Sequence, residues 1–215
     1  MNAVSISSTS SAMQTVLRVK WWWWVTALLS VLVGGYSAAM LGAPGLRTPF
    51  VTNLIAANAG LAFAHFGGSA AALVAGSLQL HRGIRISWPR VHRWVGRLYL
   101  VGVLLGGISG GLMARDASGG AVAQLGFASL TVCWLAFTSA GYFCIRKKDA
   151  GAHARWMIRS FALTFGAVTL RIYLPASLFA GASFEYAYPI IAWASWVPNL
   201  AAVEIFRIAR SRQPR

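Results

Sequence analysis

The sequence predicts an all-α, polytopic membrane protein of six transmembrane helices with both termini on the cytoplasmic side. Three observations carry this expectation. Of 215 residues, 57% are hydrophobic and only 11% charged, whereas about a quarter are charged in a soluble domain. The mean hydropathy of +0.60 implies more apolar surface than a water-soluble fold of this size can hide, so the excess faces lipid. The basic residues fall between the apolar stretches rather than within them.

Residues 1–20 read as a Ser-rich cytoplasmic tail ending in Arg18 and Lys20. The run Trp21–Trp24 opens the first span, 21–41, and marks a headgroup boundary, where tryptophan concentrates. Pro44, Gly45 and Pro49 make a turn, and an Ala- and Gly-rich second span covers 53–80. A basic loop with Arg82, Arg85 and Arg90 follows. Within it, Ser87 before Trp88-Pro89 suggests an N-cap with proline in the first turn. The third span is 92–114, the turn Asp116–Gly120, and the fourth span 121–145, closed by Arg146, Lys147 and Lys148. The fifth span is 153–179, with Pro175 near its far end, and the sixth is 186–207. The membrane domain is thus 21–208, followed by a basic cytoplasmic tail, 209–215.

Charge gives the direction. Alternating the spans from a cytoplasmic N-terminus puts 16 of the 19 Lys and Arg residues inside. Only Arg47 and Arg115 then lie outside, with Arg171 inside a span. That asymmetry is the positive-inside pattern and sets the orientation expected of an inner-membrane protein. The net charge of +15 is then explained by topology and by anionic headgroups on the cytoplasmic side, not by nucleic acid. Cleavage after the first span, near Tyr36-Ser37-Ala38-Ala39, is disfavoured by the span's length and its tryptophan run. Cys133 and Cys144 share one helix, separated by about 16 Å of rise, and cannot bridge.

The inner turns hint at a parallel repeat: a basic loop, a histidine, then Trp-x-x-Arg. The copies are His92 with Trp94-Val95-Gly96-Arg97, and His153 with Trp156-Met157-Ile158-Arg159. Gly102, Gly106 and Gly110, with the small residues of the second span, read as surfaces for close helix packing.

Two residues are costly in lipid. His65 and Arg171 count to one layer of the outer half, roughly 21 and 24 Å from the inner face. Tyr36, Ser109, Thr131 and Trp193 count to the same layer. A charge in hydrocarbon costs a few kcal/mol, so Arg171 must face the bundle interior or a polar cavity, or else snorkel outward. Its acceptor is Glu185, backbone carbonyls, or an anionic ligand such as a haem propionate, a quinone or a carboxylate. His92 and His153 each open a helix at the inner face. They can hold a metal, such as a haem iron, between two imidazoles, or simply meet lipid phosphates. His81 is most simply interfacial, and Glu204 pairs with Arg159 or Arg207 near the inner face.

The segments His81–Tyr99, His153–Ser160 and Thr169–Pro175 resemble the signature of a bacterial membrane family, the domain of unknown function 2306, over about residues 50–180. The resemblance implies a multi-span membrane protein without an established activity, and His65, His92, His153 and Arg171 fall on positions matching its pattern. A weaker similarity is to the di-haem transmembrane cytochromes of the b type. This chain supplies one facing histidine pair rather than two, so a second haem is not expected.

Three functions follow as expectations. The first is a haem-binding redox protein carrying haem b, with His65, His92, His153 and Arg171 as cofactor-binding residues and His92 and His153 as metal ligands. The second is a small transporter or proton-coupled permease, with His65 as relay and Arg171 as anion anchor. The third is an accessory subunit of a membrane complex. No nucleophile with its base, Walker loop, dinucleotide fingerprint or HExxH motif is present.

Overall fold

The structure is a computed structural model and describes residues 21–211. The expected tails at 1–20 and 212–215, with Arg18, Lys20, Arg212 and Arg215, lie outside the described residues. The described residues form no β-strand. They form helices α1 (Trp21–Gly42), α2 (Pro49–Ala57), α3 (Ala59–Gln79), α4 (Arg82–Ser87) and α5 (Pro89–Met113). Then come α6 (Gly120–Arg146), α7 (Ala150–Thr164), α8 (Gly166–Phe179), α9 (Phe184–Ala194) and α10 (Val197–Ser211). Among the described residues, six helical stretches are long and apolar enough to cross a membrane. The protein is therefore a multi-pass membrane protein.

Three of the six spans are jointed, which the hydropathy profile does not show. The second, expected over 53–80, breaks at Asn58: its first residues lie in α2, and the membrane-length helix is α3. Asn58 is extended, and its side-chain oxygen accepts from the Leu61 N–H, which caps the new helix. The fifth is α7 and α8, joined at Phe165. The sixth is α9 and α10, joined at Ser195-Trp196. There Pro198 supplies no N–H for the preceding turn. Pro198 thereby leaves the Ala194 carbonyl, four residues back, without its donor, and the neighbouring Ser195 carbonyl accepts from Thr169 Oγ1 at 2.6 Å and Asn199 Nδ2 at 3.0 Å.

The loop expected after the second span is the short helix α4. His81 caps it, its Nδ1 accepting from the Ile84 N–H at 3.2 Å. The expected N-cap at Ser87 is corrected. Ser87 lies inside α4, and Trp88 precedes α5 without a side-chain cap while Pro89 occupies the first turn.

α3 is the central rod, packed along α5 and α1, and α6 pairs with α7. The main core joins Ala72 and Ala75 of α3, Tyr99 and Val103 of α5, Trp134 of α6, and Phe161 and Leu163 of α7, with Trp196 behind them. The glycines decide how closely α3 meets α5. A Cβ on Gly68 would lie 2.6 Å from the Gly106 nitrogen, and one on Gly102 2.7 Å from the Gly68 carbonyl oxygen. Backbones approach this closely only where both lack side chains.

The expected repeat has a structural echo. Arg97 lies over the Trp94 ring at 4.5 Å, and Arg159 over Trp156 at 4.7 Å. The histidines do not share that register, because His92 precedes its tryptophan by two residues and His153 by three. One helical position turns them about 100° apart relative to the tryptophans.

Candidate functional site

A cavity of about 620 Å³ lies in the half of the bundle opposite the basic turns. It runs from Thr48, Phe50 and the Asp116–Ser118 turn down to Leu73, Trp134 and Thr164. Most of its wall is apolar, the usual character of a ligand pocket. His65 and Arg171 both line it, as do Tyr36 and Thr131 of the same layer. Ser109 and Trp193 of that layer are not among its lining residues. Ser109 bonds back to Leu105, and Trp193 Nε1 donates to the Val122 carbonyl at 3.0 Å.

The helix packing orients His65. Its Nδ1 lies 2.9 Å from the carbonyl oxygen of Gly106. A carbonyl only accepts, so Nδ1 carries the hydrogen. A neutral ring so held presents a lone pair at Nε2; the Nδ1 bond is the one the ring makes among the described residues. Gly110 lets the ring sit there, since a Cβ on it would lie 2.7 Å from His65 Nδ1.

Arg171 stands on α8 and turns inward. Its Nη1 donates to the Ala167 carbonyl at 3.1 Å and its Nη2 to Ser37 Oγ of α1 at 2.9 Å. Among the described residues no carboxylate comes within ion-pairing distance, because the ion pairs found there all use Glu204. The expected Glu185 partner is therefore corrected: Glu185 starts α9 beyond the end of α8 and makes no such contact. Carbonyl and hydroxyl oxygens hold the guanidinium, and two of its five N–H donors are committed. Ser69 and Ser195 also line the cavity, and their buried hydroxyls have no partner among the described residues. Unpaired buried polar groups are rare in stable structures, so a cluster of them around one cavity fits a polar occupant.

The floor is a hydrogen-bonded ring that sequence reasoning missed. Trp134 Nε1 donates to Thr164 Oγ1 at 2.9 Å. Thr138 Oγ1 donates to the Trp134 carbonyl at 2.7 Å. Ser160 Oγ lies 2.6 Å from Thr138 Oγ1 and 2.6 Å from Tyr99 Oη, and either oxygen of each pair can donate; with the Thr138 proton on the Trp134 carbonyl, Ser160 donates to Thr138 and Tyr99 to Ser160. Thr164 closes the ring by donating to Tyr99 Oη at 2.8 Å, with the Ser160 carbonyl at 3.0 Å as its alternative acceptor. The chain starts on the Trp134 indole and returns to the Trp134 carbonyl, tying α5, α6 and α7 together. All five residues are buried.

At the basic end, His92 and His153 lie within electrostatic reach of each other. His153 Nδ1 donates to the Gly141 carbonyl at 2.8 Å, while His92 Nδ1 is buried without a partner among the described residues. Gln79 Nε2 donates to the His92 carbonyl at 2.7 Å. Neither histidine lines the large cavity. No group of three or more His, Cys, Asp or Glu residues placed to hold a metal occurs among the described residues. His81 packs edge-on against Trp23 at 4.7 Å. Glu204 accepts both Arg159 Nε at 2.6 Å and Arg159 Nη2 at 3.0 Å, and also Arg207 Nη1 at 2.6 Å. The expected choice between the two arginines is thus no choice, since the carboxylate takes both.

No curated protein and no solved structure matches the chain. Residues 62–207 match the family described as "Predicted membrane protein (DUF2306)". The match runs from just before His65 to Arg207, so it takes in the polar groups of the cavity on α3 and α8 and the whole floor ring. It also covers both Trp-x-x-Arg turns. The chain belongs to the DUF2306 family of membrane proteins.

Proposed function

We propose that this protein binds an amphipathic anion inside the membrane, with its head group on Arg171 and its apolar body against the cavity wall. The observation that carries the reading is Arg171 itself. It lines a largely apolar cavity of about 620 Å³, pairs with no carboxylate among the described residues, and has donors to spare. Holding an arginine at membrane depth costs roughly 2.5–3.5 kcal/mol, and a bound anion offsets that cost. With the basic end in the cytoplasm, the cavity belongs to the outer leaflet of a bacterial inner membrane. The exposed Arg82, Arg85, Arg90 and Arg93 then meet anionic headgroups on the other side.

The test is saturable binding of a dansyl-tagged fatty acid to the purified protein in lipid nanodiscs. Arg171→Leu should weaken it about tenfold or more, as expected for a hydrogen bond to a charged group. Unsaturable binding by the unaltered protein would overturn the proposal.

One observation favours a specific second occupant. His65 Nδ1–H is held by a carbonyl and Nε2 is left as a lone pair, the arrangement that presents an imidazole to a metal. Haem b would use His65 as a single axial ligand and Arg171 for a propionate. That moves the expected haem site from His92 and His153 to the large cavity. Absorption spectra of the oxidised and reduced protein test it: a preparation that stays colourless after haem addition excludes haem.

A further inference from the structure

We infer that the anion is a single-chain carboxylate amphiphile that loads sideways from the outer leaflet, through the seam between α1 and α8. This rests on the binding reading above and adds a ligand class and a route.

Two walls of the cavity differ. Toward the opposite face of the bundle it is covered by α2, whose Phe50 packs against Phe184 at 5.8 Å and Tyr188 at 5.7 Å. The charged residue on the wall at that end is Asp116, the wrong sign to receive an anion. Along α1 the wall is thin. Leu32 and Tyr36 line the cavity and are 58% and 41% exposed, so no other helix covers them. α1 is anchored along α3 and makes only a short contact with α8. That contact is bridged by the hydrogen bond from Arg171 Nη2 to Ser37 Oγ.

The head group follows from charge. Arg171 is the one Lys or Arg among the described residues lining the cavity, and Asp116 lines it too, so the wall carries no surplus positive charge and disfavours a phosphate dianion more than a monoanion. The planar guanidinium fork pairs two parallel N–H bonds with a carboxylate. A carboxylate bound to the free N–H groups of that fork draws the guanidinium toward the cavity and away from Ser37, so arrival of the ligand loosens the bond that closes the seam. The apolar walls accept the tail, and a cavity of this size suits one chain rather than a two-chain lipid. Ser37 is therefore a latch, a positioning residue rather than part of the binding site proper.

The test uses the full chain in nanodiscs. A diazirine-bearing fatty acid supplied in the bilayer should label residues of α1 and α8 around Leu32, Tyr36 and Leu170, and excess oleate should compete. Stopped-flow transfer of the dansyl-tagged fatty acid from donor vesicles gives the rates. Ser37→Ala should speed association about tenfold with dissociation unchanged, and Ser37→Thr, which keeps the hydroxyl, should restore the original rate. Labels confined to Phe50 and the Asp116–Ser118 turn would overturn the route while leaving the binding reading intact. Faster dissociation in Ser37→Ala would overturn the latch, since Ser37 would then be holding Arg171 ready for the ligand. Tight competition by a phosphate monoester dianion would overturn the carboxylate assignment. Absence of any oleate-competed labelling or binding would instead defeat the binding reading itself.

Discussion

His65 Nδ1 donates to the carbonyl of Gly106 at 2.9 Å, so the close contact of α3 with α5 also aims the imidazole. The glycines that permit the contact and the histidine that uses it are one device. Gly106→Ala would place a Cβ 2.9 Å from the Ser69 nitrogen and 2.5 Å from its hydroxyl. The hydroxyl can turn away, but the backbone nitrogen cannot. The expected cost is about 1–3 kcal/mol, the range for overpacking, seen as a lower midpoint of thermal unfolding in detergent. The same variant should weaken ligand binding through His65, whereas Gly35→Ala, with no neighbour within 4 Å, should leave both unchanged.

Arg171 should set stability and binding against each other. Arg171→Leu removes a charge from the membrane interior at the loss of two hydrogen bonds. Desolvation outweighs two ordinary bonds, so the ligand-free variant should be more stable by about 1 kcal/mol while binding the fatty acid at least about tenfold more weakly. Unfolding and binding measured on the same preparation check this. A variant that loses both stability and binding would mean the arginine is mainly a helix staple.

Tyr99→Phe opens the ring on the cavity floor. The Ser160 hydroxyl loses its donor and Thr164 falls back on the Ser160 carbonyl. Interhelical hydrogen bonds in membranes average about 0.6 kcal/mol, so the expected loss is about 1 kcal/mol, including the group left unpaired. Thr138→Val should cost a similar amount. The double variant should cost less than the sum of the two, because both cut the same loop.

Glu204→Gln removes a bidentate pair with Arg159 and a contact with Arg207. These side chains are 16%, 35% and 37% exposed, so solvent and headgroups screen the pair. A loss of about 0.5–1 kcal/mol is expected, diminishing at high salt. A salt-independent loss of several kcal/mol would contradict that account.

Six spans and the meeting of His65 and Arg171 on one cavity were legible because lipid penalises the alternatives heavily: a charge needs an inward face, and an uninterrupted apolar run needs a membrane. The joints were not, since hydropathy averages over a break that leaves composition unchanged. Asn58 just before Ala59 and Pro198 after Trp196 were local signals for two of them. Of the acceptors expected for Arg171, a backbone carbonyl is found and Glu185 is not, because a carboxylate near in sequence carries no information about which helix end it faces. The ring was invisible for a different reason. Tyr99, Trp134, Thr138, Ser160 and Thr164 are ordinary in membrane helices, and only their meeting from three helices gives them a joint role. The cavity depends likewise on α1, whose Ser37 is separated from Arg171 by 134 positions of chain.

The ring on the cavity floor has an electrical meaning. The Trp134 indole can donate but never accept, which fixes one bond, whereas the hydroxyls of Tyr99, Thr138, Ser160 and Thr164 each have a choice of acceptor and can reverse together. The belt that ties three helices under the cavity is therefore also a row of dipoles that can turn to suit what lies above it.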